Sequence, residues 1–259
     1  MNRPTMFAAT AAGAACLLAV TFAVTPDLPV ARAQTPAGVD ERAAVNAVLT
    51  GARGANPVIC ALAGRAIDQS FHWGDFRPGY DPRGLETRAV REPVRVALDV
   101  LHDPGLVDIL RPALGDDDPC VRRLAAPLLG HVRHPTALQA LRRAVRDSDA
   151  RTREAAALGL GFAGDASAVP DLIPTLRDAT PEVRVAAAWA LGQVESRGAV
   201  RPLVAVLDDA DARVRATAAW ALGRIEDPDA VAVLARALRR DQDAEVRRNA
   251  AWALGKVND

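Results

Sequence analysis

The sequence predicts an all-α fold, an α-solenoid of stacked antiparallel helix pairs. Three observations carry that prediction. First, five segments align without gaps: VRRLAAPLLG from Val121, TREAAALGLG from Thr152, VRVAAAWALG from Val183, VRATAAWALG from Val214 and VRRNAAWALG from Val246. Second, their closing glycines, Gly130, Gly161, Gly192, Gly223 and Gly255, are 31, 31, 31 and 32 residues apart, a near-constant phase. Third, the chain is rich in Ala, Leu and Val and has few aromatics. That composition suits closely packed helices and not strands.

Residues 1–33 read as a signal peptide. Arg3 supplies a positive start, Met6 to Val24 is an uncharged apolar run, and Ala31-Arg32-Ala33 offers a cleavage site before Gln34. The run is also long enough for an uncleaved anchor. With cleavage, no membrane insertion remains and the chain is expected to be exported, to a periplasm or beyond.

Residues 34–90 lack the repeat. Val39 to Arg53 and Asn56 to Ile67 are expected to form two helices that cover the open end of the stack. Phe71 to Gly84, FHWGDFRPGYDPRG, carries Phe71, Trp73, Phe76 and Tyr80, half of the aromatics outside the leader. Its glycines and prolines exclude regular structure. Such a loop either contacts a partner or folds back over the first helices.

Residues 91–115 resemble one degenerate unit, with VRVALDVL from Val94 and LVDILRPAL from Leu106. The regular units fill 116–259, the last one truncated. In the third, Val183, Ala186, Ala187, Ala190, Leu191 and Val194 trace one face of a first helix. Thr180 and Pro181 cap it, and Asp118, Asp149, Asp211 and Asp243 occupy the cap position elsewhere. A second apolar helix follows, as in AVPDLIPTLRD from Ala168, where Pro174 should bend or shift it. Neither helix of a unit can bury its own face, so the units must stack. The second helices are expected on the concave side, where Arg142, Arg143, Arg146, Arg236, Arg239 and Arg240 give a basic tendency.

A charged ladder runs through the array. Asp116, Asp147, Asp178, Asp209 and Asp241 each precede an arginine by six residues: Arg122, Arg153, Arg184, Arg215 and Arg247. Recurrence in every unit fits a structural staple between turns better than a ligand-binding row, because the guanidinium fork suits carboxylates and carbonyls.

The Asp turn, the Val-Arg pair and the Ala-Ala-x-Ala-Leu-Gly ending resemble HEAT repeats of the short bacterial kind, also called PBS-lyase HEAT-like repeats. The resemblance covers Asp116 to Asp259. It implies an α-solenoid that binds another protein, without catalysis of its own and without a cofactor. The alternative is an enzyme or enzyme accessory of the bilin-lyase type, which export opposes. Another HEAT-like enzyme family, deoxyhypusine hydroxylase, is marked by His-Glu pairs. His72, His102, His131 and His134 include none, and His131 and His134 are expected at the surface, with no metal site.

Trp189, Trp220 and Trp252 recur three residues before the closing glycine. They fall about 140° from the centre of the apolar stripe, so they either pack between neighbouring first helices or form an exposed binding strip. Cys120 stands where other units have Arg151, Glu182, Arg213 and Glu245, a position expected to be exposed. Export would allow a Cys60–Cys120 disulfide, which spacing alone leaves open. With 32 basic and 32 acidic residues the chain has no field to hold nucleic acid. The partner is therefore expected to be a protein. After the last first helix no second helix follows, so Val246, Leu254 and Val257 are expected to lack cover. Weak self-association through this helix is expected.

Overall fold

The computed structural model describes residues 40–56, 60 and 101–258. Residues 1–33, expected to be a signal peptide, all of VRVALDVL but its last residue Leu101, and the aromatics Phe71, Trp73, Phe76 and Tyr80 lie outside them. No helix among the described residues is long and apolar enough to cross a membrane.

Eleven α-helices make up the described residues, joined by 3₁₀ turns, with one isolated β-bridge between Leu101 and Val132. The chain enters through α1 (Glu41–Ala52) and α2 (Leu106–Ala113). The first helices of the units are α3 (Pro119–His131), α5 (Ala150–Ala163), α7 (Pro181–Val194), α9 (Ala212–Ile225) and α11 (Ala244–Asn258). The second helices are α4 (Pro135–Ala144), α6 (Val169–Thr175), α8 (Val200–Ala205) and α10 (Val231–Arg240).

Local chemistry sets the helix starts. The carboxylates of Asp118, Asp149, Asp211 and Asp243 accept from the amides of Cys120, Arg151, Arg213 and Glu245 at 2.8–2.9 Å. These bonds satisfy N–H groups that the helix cannot. Thr180 makes no side-chain cap. α5, α7 and α9 end on left-handed residues, Gly164, Glu195 and Glu226, at φ 63°, 53° and 55°. The glycine adopts that conformation freely, whereas a glutamate does so against its Cβ. Pro174 lies inside α6, which spans only 7 residues.

The core is one continuous layer between the two rows, filled by Leu124, Leu141, Leu160, Leu172, Leu191, Leu203, Leu222 and Leu234. Each first helix packs closely on the next, while the second helices of the regular units meet one another little. A two-layer stack with one tight row and one splayed row curves towards the tight row. The first helices, not the second, therefore line the inner side, a correction to the sequence expectation. Small residues cause it. A Cβ built on Gly192 would sit 2.9 Å from Ala221 Cα and 2.8 Å from the Trp220 ring. Only glycine permits that approach.

Candidate binding surface

The Asp–Arg ladder works between units as well as within them. Arg153 Nη1 donates to the carbonyls of Asp147 and Ser148 in its own turn, at 2.9 and 2.8 Å. Its Nε and Nη2 grip the Asp178 carboxylate of the next unit at 2.7 and 3.0 Å. Arg184 repeats this on Asp209 at 2.8 Å for both bonds, and Arg215 on Asp241 at 2.9 Å for both. Each carboxylate also accepts from the backbone amide two residues on, such as Asp178 from Thr180 at 2.9 Å. The Arg153 fork holds the Asp178 carboxyl below the usual carboxylate range, and Arg215 does the same for Asp241. Arg122 and Arg247 bond the carbonyls of Asp116 and Asp241.

The first rung has a partner that the repeat pattern did not reveal. Arg53, directly after α1, bonds the Asp116 carboxylate at 3.2 and 2.6 Å, and the Gly54 amide donates to Asp118 at 2.7 Å. A non-repeat segment thus supplies the clasp that a preceding unit would supply. Cys60 and Cys120 form a disulfide, with Cα atoms 5.6 Å apart. Cys120 is buried, not exposed as its column suggested, and Cys60 is bonded to it.

The tryptophans divide. Trp189 and Trp220 are 0% and 4% exposed and cannot form a binding strip. Each ring lies over the closing glycine of the preceding unit, Gly161 and Gly192. Trp189 also packs on Phe162, with ring centroids 5.1 Å apart. Trp252 fills the notch at Gly223 in the same way yet remains 37% exposed. Three other expectations change as well. His131 is buried, its Nδ1 bonded to the Pro127 carbonyl, and burial lowers its pKa. Val246 is fully covered, while Leu254 and Val257 are half-buried. Arg142 and Arg146 both bind the buried Asp171 carboxylate at 2.5 Å, so this pair is not a free basic surface.

The inner side of the first helices is the other surface that the array presents. Equivalent positions along it form columns across the units, in which Cys120, His131, Val185 and Ala216 are buried and the others partly or fully exposed. One runs Cys120, Arg151, Glu182, Arg213, Glu245; a second Arg123, Glu154, Val185, Ala216, Arg248; a third His131, Phe162, Gln193, Arg224, Lys256. Arg213 reaches Glu182 at 2.9 Å, so residues in one column touch across a seam. Glu154 is held above the usual carboxylate range, chiefly by burial and then by the charge of Glu182. Sequence reasoning missed Glu154 and Arg123. Aligning the units column by column, and asking where they differ, would have found both. Among the described residues no group of three or more His, Cys, Asp or Glu is placed to hold a metal ion.

Comparison with known proteins agrees with this architecture. A family profile for HEAT repeats matches residues 104–180 and 169–255, more than half of the chain. The chain belongs to the HEAT-repeat family. No curated protein matches it by sequence. Among solved structures, this HEAT-repeat chain is similar to the complex of CpcE and CpcF of phycocyanin lyase from Nostoc sp. PCC7120. Identity is 22%, the TM-score is 0.54, and the match covers 58% of this chain and 99% of that one. At that identity the likeness is one of fold. Human deoxyhypusine hydroxylase matches at 21% identity and a TM-score of 0.44, over 83% of this chain and 84% of its own. A designed armadillo repeat protein matches at 22% identity and a TM-score of 0.42, over 60% of this chain and 83% of its own.

Proposed function

We propose that this HEAT-repeat chain is an exported scaffold that binds a protein partner on the inner face of its first helices, with no catalytic step of its own. One observation carries the reading. Positions that join units repeat almost unchanged: the Asp–Arg clasp, the paired alanines, the closing glycine. Partly or fully exposed positions on the inner face change from unit to unit, as Arg123, Glu154 and Arg248 do in one column and Phe162, Gln193, Arg224 and Lys256 in another. A frame that repeats and a face that varies is the division expected of a repeat protein that reads a partner along its length. The Cys60–Cys120 disulfide supports export, since such bonds persist in oxidising compartments.

The test is site-specific photocrosslinking in the native host. A photoreactive residue at Arg123 or Gln193 should capture a protein, and one at Arg201, on the second-helix row, should not. Equal capture at all three would reject the inner face. Export is tested separately: mature protein beginning at Gln34 in the envelope fraction is expected, and full-length protein retained in the cytoplasm would overturn it. The Phe71–Tyr80 segment is proposed as a further contact, lost in a Trp73→Ala/Tyr80→Ala double variant. Weak self-association through α11 is proposed from the exposure of Trp252. A light-scattering mass that falls on dilution, and no longer does so in Trp252→Asp, is the expected result.

A further inference from the structure

We propose that the inner face takes an extended segment of the partner that places a cationic side chain on Glu154 and an acidic one on Arg123, about three residues apart. This rests on the protein-binding reading of that face.

Nearly every charged side chain around this stretch of the face is already neutralised within the fold. Arg151 is held by Asp149 and Asp117 at 2.9 and 3.0 Å. Arg213 is held by Asp211 and Glu182 at 2.7 and 2.9 Å. Arg224 pairs with Glu195, and Arg248 with Glu245. The side chains of Glu154 and Arg123 have no hydrogen bond or ion pair with another described residue. They occupy the same column on α5 and α3, one helix apart.

The two sites differ in a useful way. Arg123 is exposed and keeps its water. Glu154 is half-buried and has lost part of its hydration without gaining a partner. The charges around it come from three neighbouring helices: Arg122 and Arg123 on α3, Glu182 on α7 and Arg213 on α9. Arg213 is committed to Glu182 and Asp211, and Arg122 to the carbonyls of Asp116 and Asp117. Arg123 alone is uncommitted, and it makes no ion pair with Glu154, so a cation in direct contact is what Glu154 lacks. Leu158 and Phe162, half-buried further along α5, offer apolar surface for the methylene stem of a lysine or arginine.

Geometry sets the spacing. Packed helices lie roughly 8–10 Å apart. Extended chain advances about 3.3 Å per residue, so one helix step corresponds to about three residues. Arg123 and Glu154 thus read an acidic and a basic residue about three positions apart.

The probe is a displayed library of random dodecapeptides selected on the purified full chain. Wild type should enrich Lys or Arg at a fixed distance of about three residues from Asp or Glu. Glu154→Gln should abolish the basic enrichment and weaken a resynthesised wild-type-selected peptide about tenfold or more. Glu154→Arg should replace the basic residue by an acidic one, and Arg123→Gln should remove only the acidic preference. Basic enrichment that survives Glu154→Gln, or an absence of any basic enrichment in wild type, overturns the proposal. If selected peptides compete with the crosslinks at Arg123 and Gln193 but carry no charge pair, the inner face stands and this assignment fails. Absence of both peptides and crosslinks rejects the two together.

Discussion

The row of first helices and the row of second helices come from the same repeated unit, yet only one is locked to its neighbours. First helices meet through glycine notches, indole knobs and a ladder of forked ion pairs. Second helices are shorter, interrupted by Pro174 in α6 and by the 3₁₀ turn Val206–Asp208 after α8, and they barely touch one another. The difference teaches where unit identity is enforced. Contacts between units demand the same residue each time, because every unit is both donor and acceptor of the same contact. Surfaces that meet nothing inside the array are released from that demand.

Matched substitutions within one column break or sharpen this contrast. The largest effect is expected for Trp189→Ala, which empties a seam and should cost about 4 kcal/mol in urea unfolding. Trp252→Ala, in the same column but half open to solvent, should cost less than about 1 kcal/mol. Equal losses would mean that the seam does not depend on the indole. Next, Cys60→Ser should lower stability by about 3 kcal/mol, by releasing a long loop in the unfolded chain. Hydrogen exchange should localise the loosening to α1 and α3 and spare α7 to α11.

Glycine gives a difference in sign. Gly192→Ala forces a methyl against the Ala221 backbone and should cost about 2 kcal/mol. Gly255→Ala meets nothing within 4 Å and should stabilise α11 by about 0.5–1 kcal/mol. Thermal melts of the pair decide the point. The smallest effect is electrostatic. Asp178 and Asp241 have depressed folded pKa values, so their stabilisation is fully present above the unfolded carboxylate value, about 4. It fades as pH falls through the folded values. The stability gap between wild type and Asp178→Asn should be about 1 kcal/mol at pH 7 and shrink below pH about 4. A gap that does not change with pH would exclude the ion pair as its source.

Much of the fold was legible because the unit repeats. Glycine spacing set the phase, aspartate caps set the helix starts, and the tryptophan angle showed that the rings do not face their own second helix. What stayed hidden lies between units. The six-residue spacing of Asp and Arg suggested a staple between turns without naming its far partner, and the fork closes on the carboxylate 25 residues ahead, as from Arg153 to Asp178. The mistaken concave side has a similar cause, since curvature follows from the relative spacing of two rows and no single helix encodes it. Glu154 escaped because one unit read alone makes it another solvated charge. Arg53 escaped because it mimics a ladder arginine from outside the repeat.

The ladder also bears on how such a chain can change length. Each clasp joins identical groups at nearly identical reach, so it is indifferent to which units it joins. Deleting residues 178–208 in a single event would bring Asp209 to the place of Asp178, and Arg153 would find a carboxylate at the same distance along the chain. Duplication of the same stretch would add one link and leave every clasp closed. A deletion of some other length would strand a guanidinium at the junction. Gain and loss of whole modules therefore lie open to recombination, while partial ones are filtered out by the cost of a single unmatched rung.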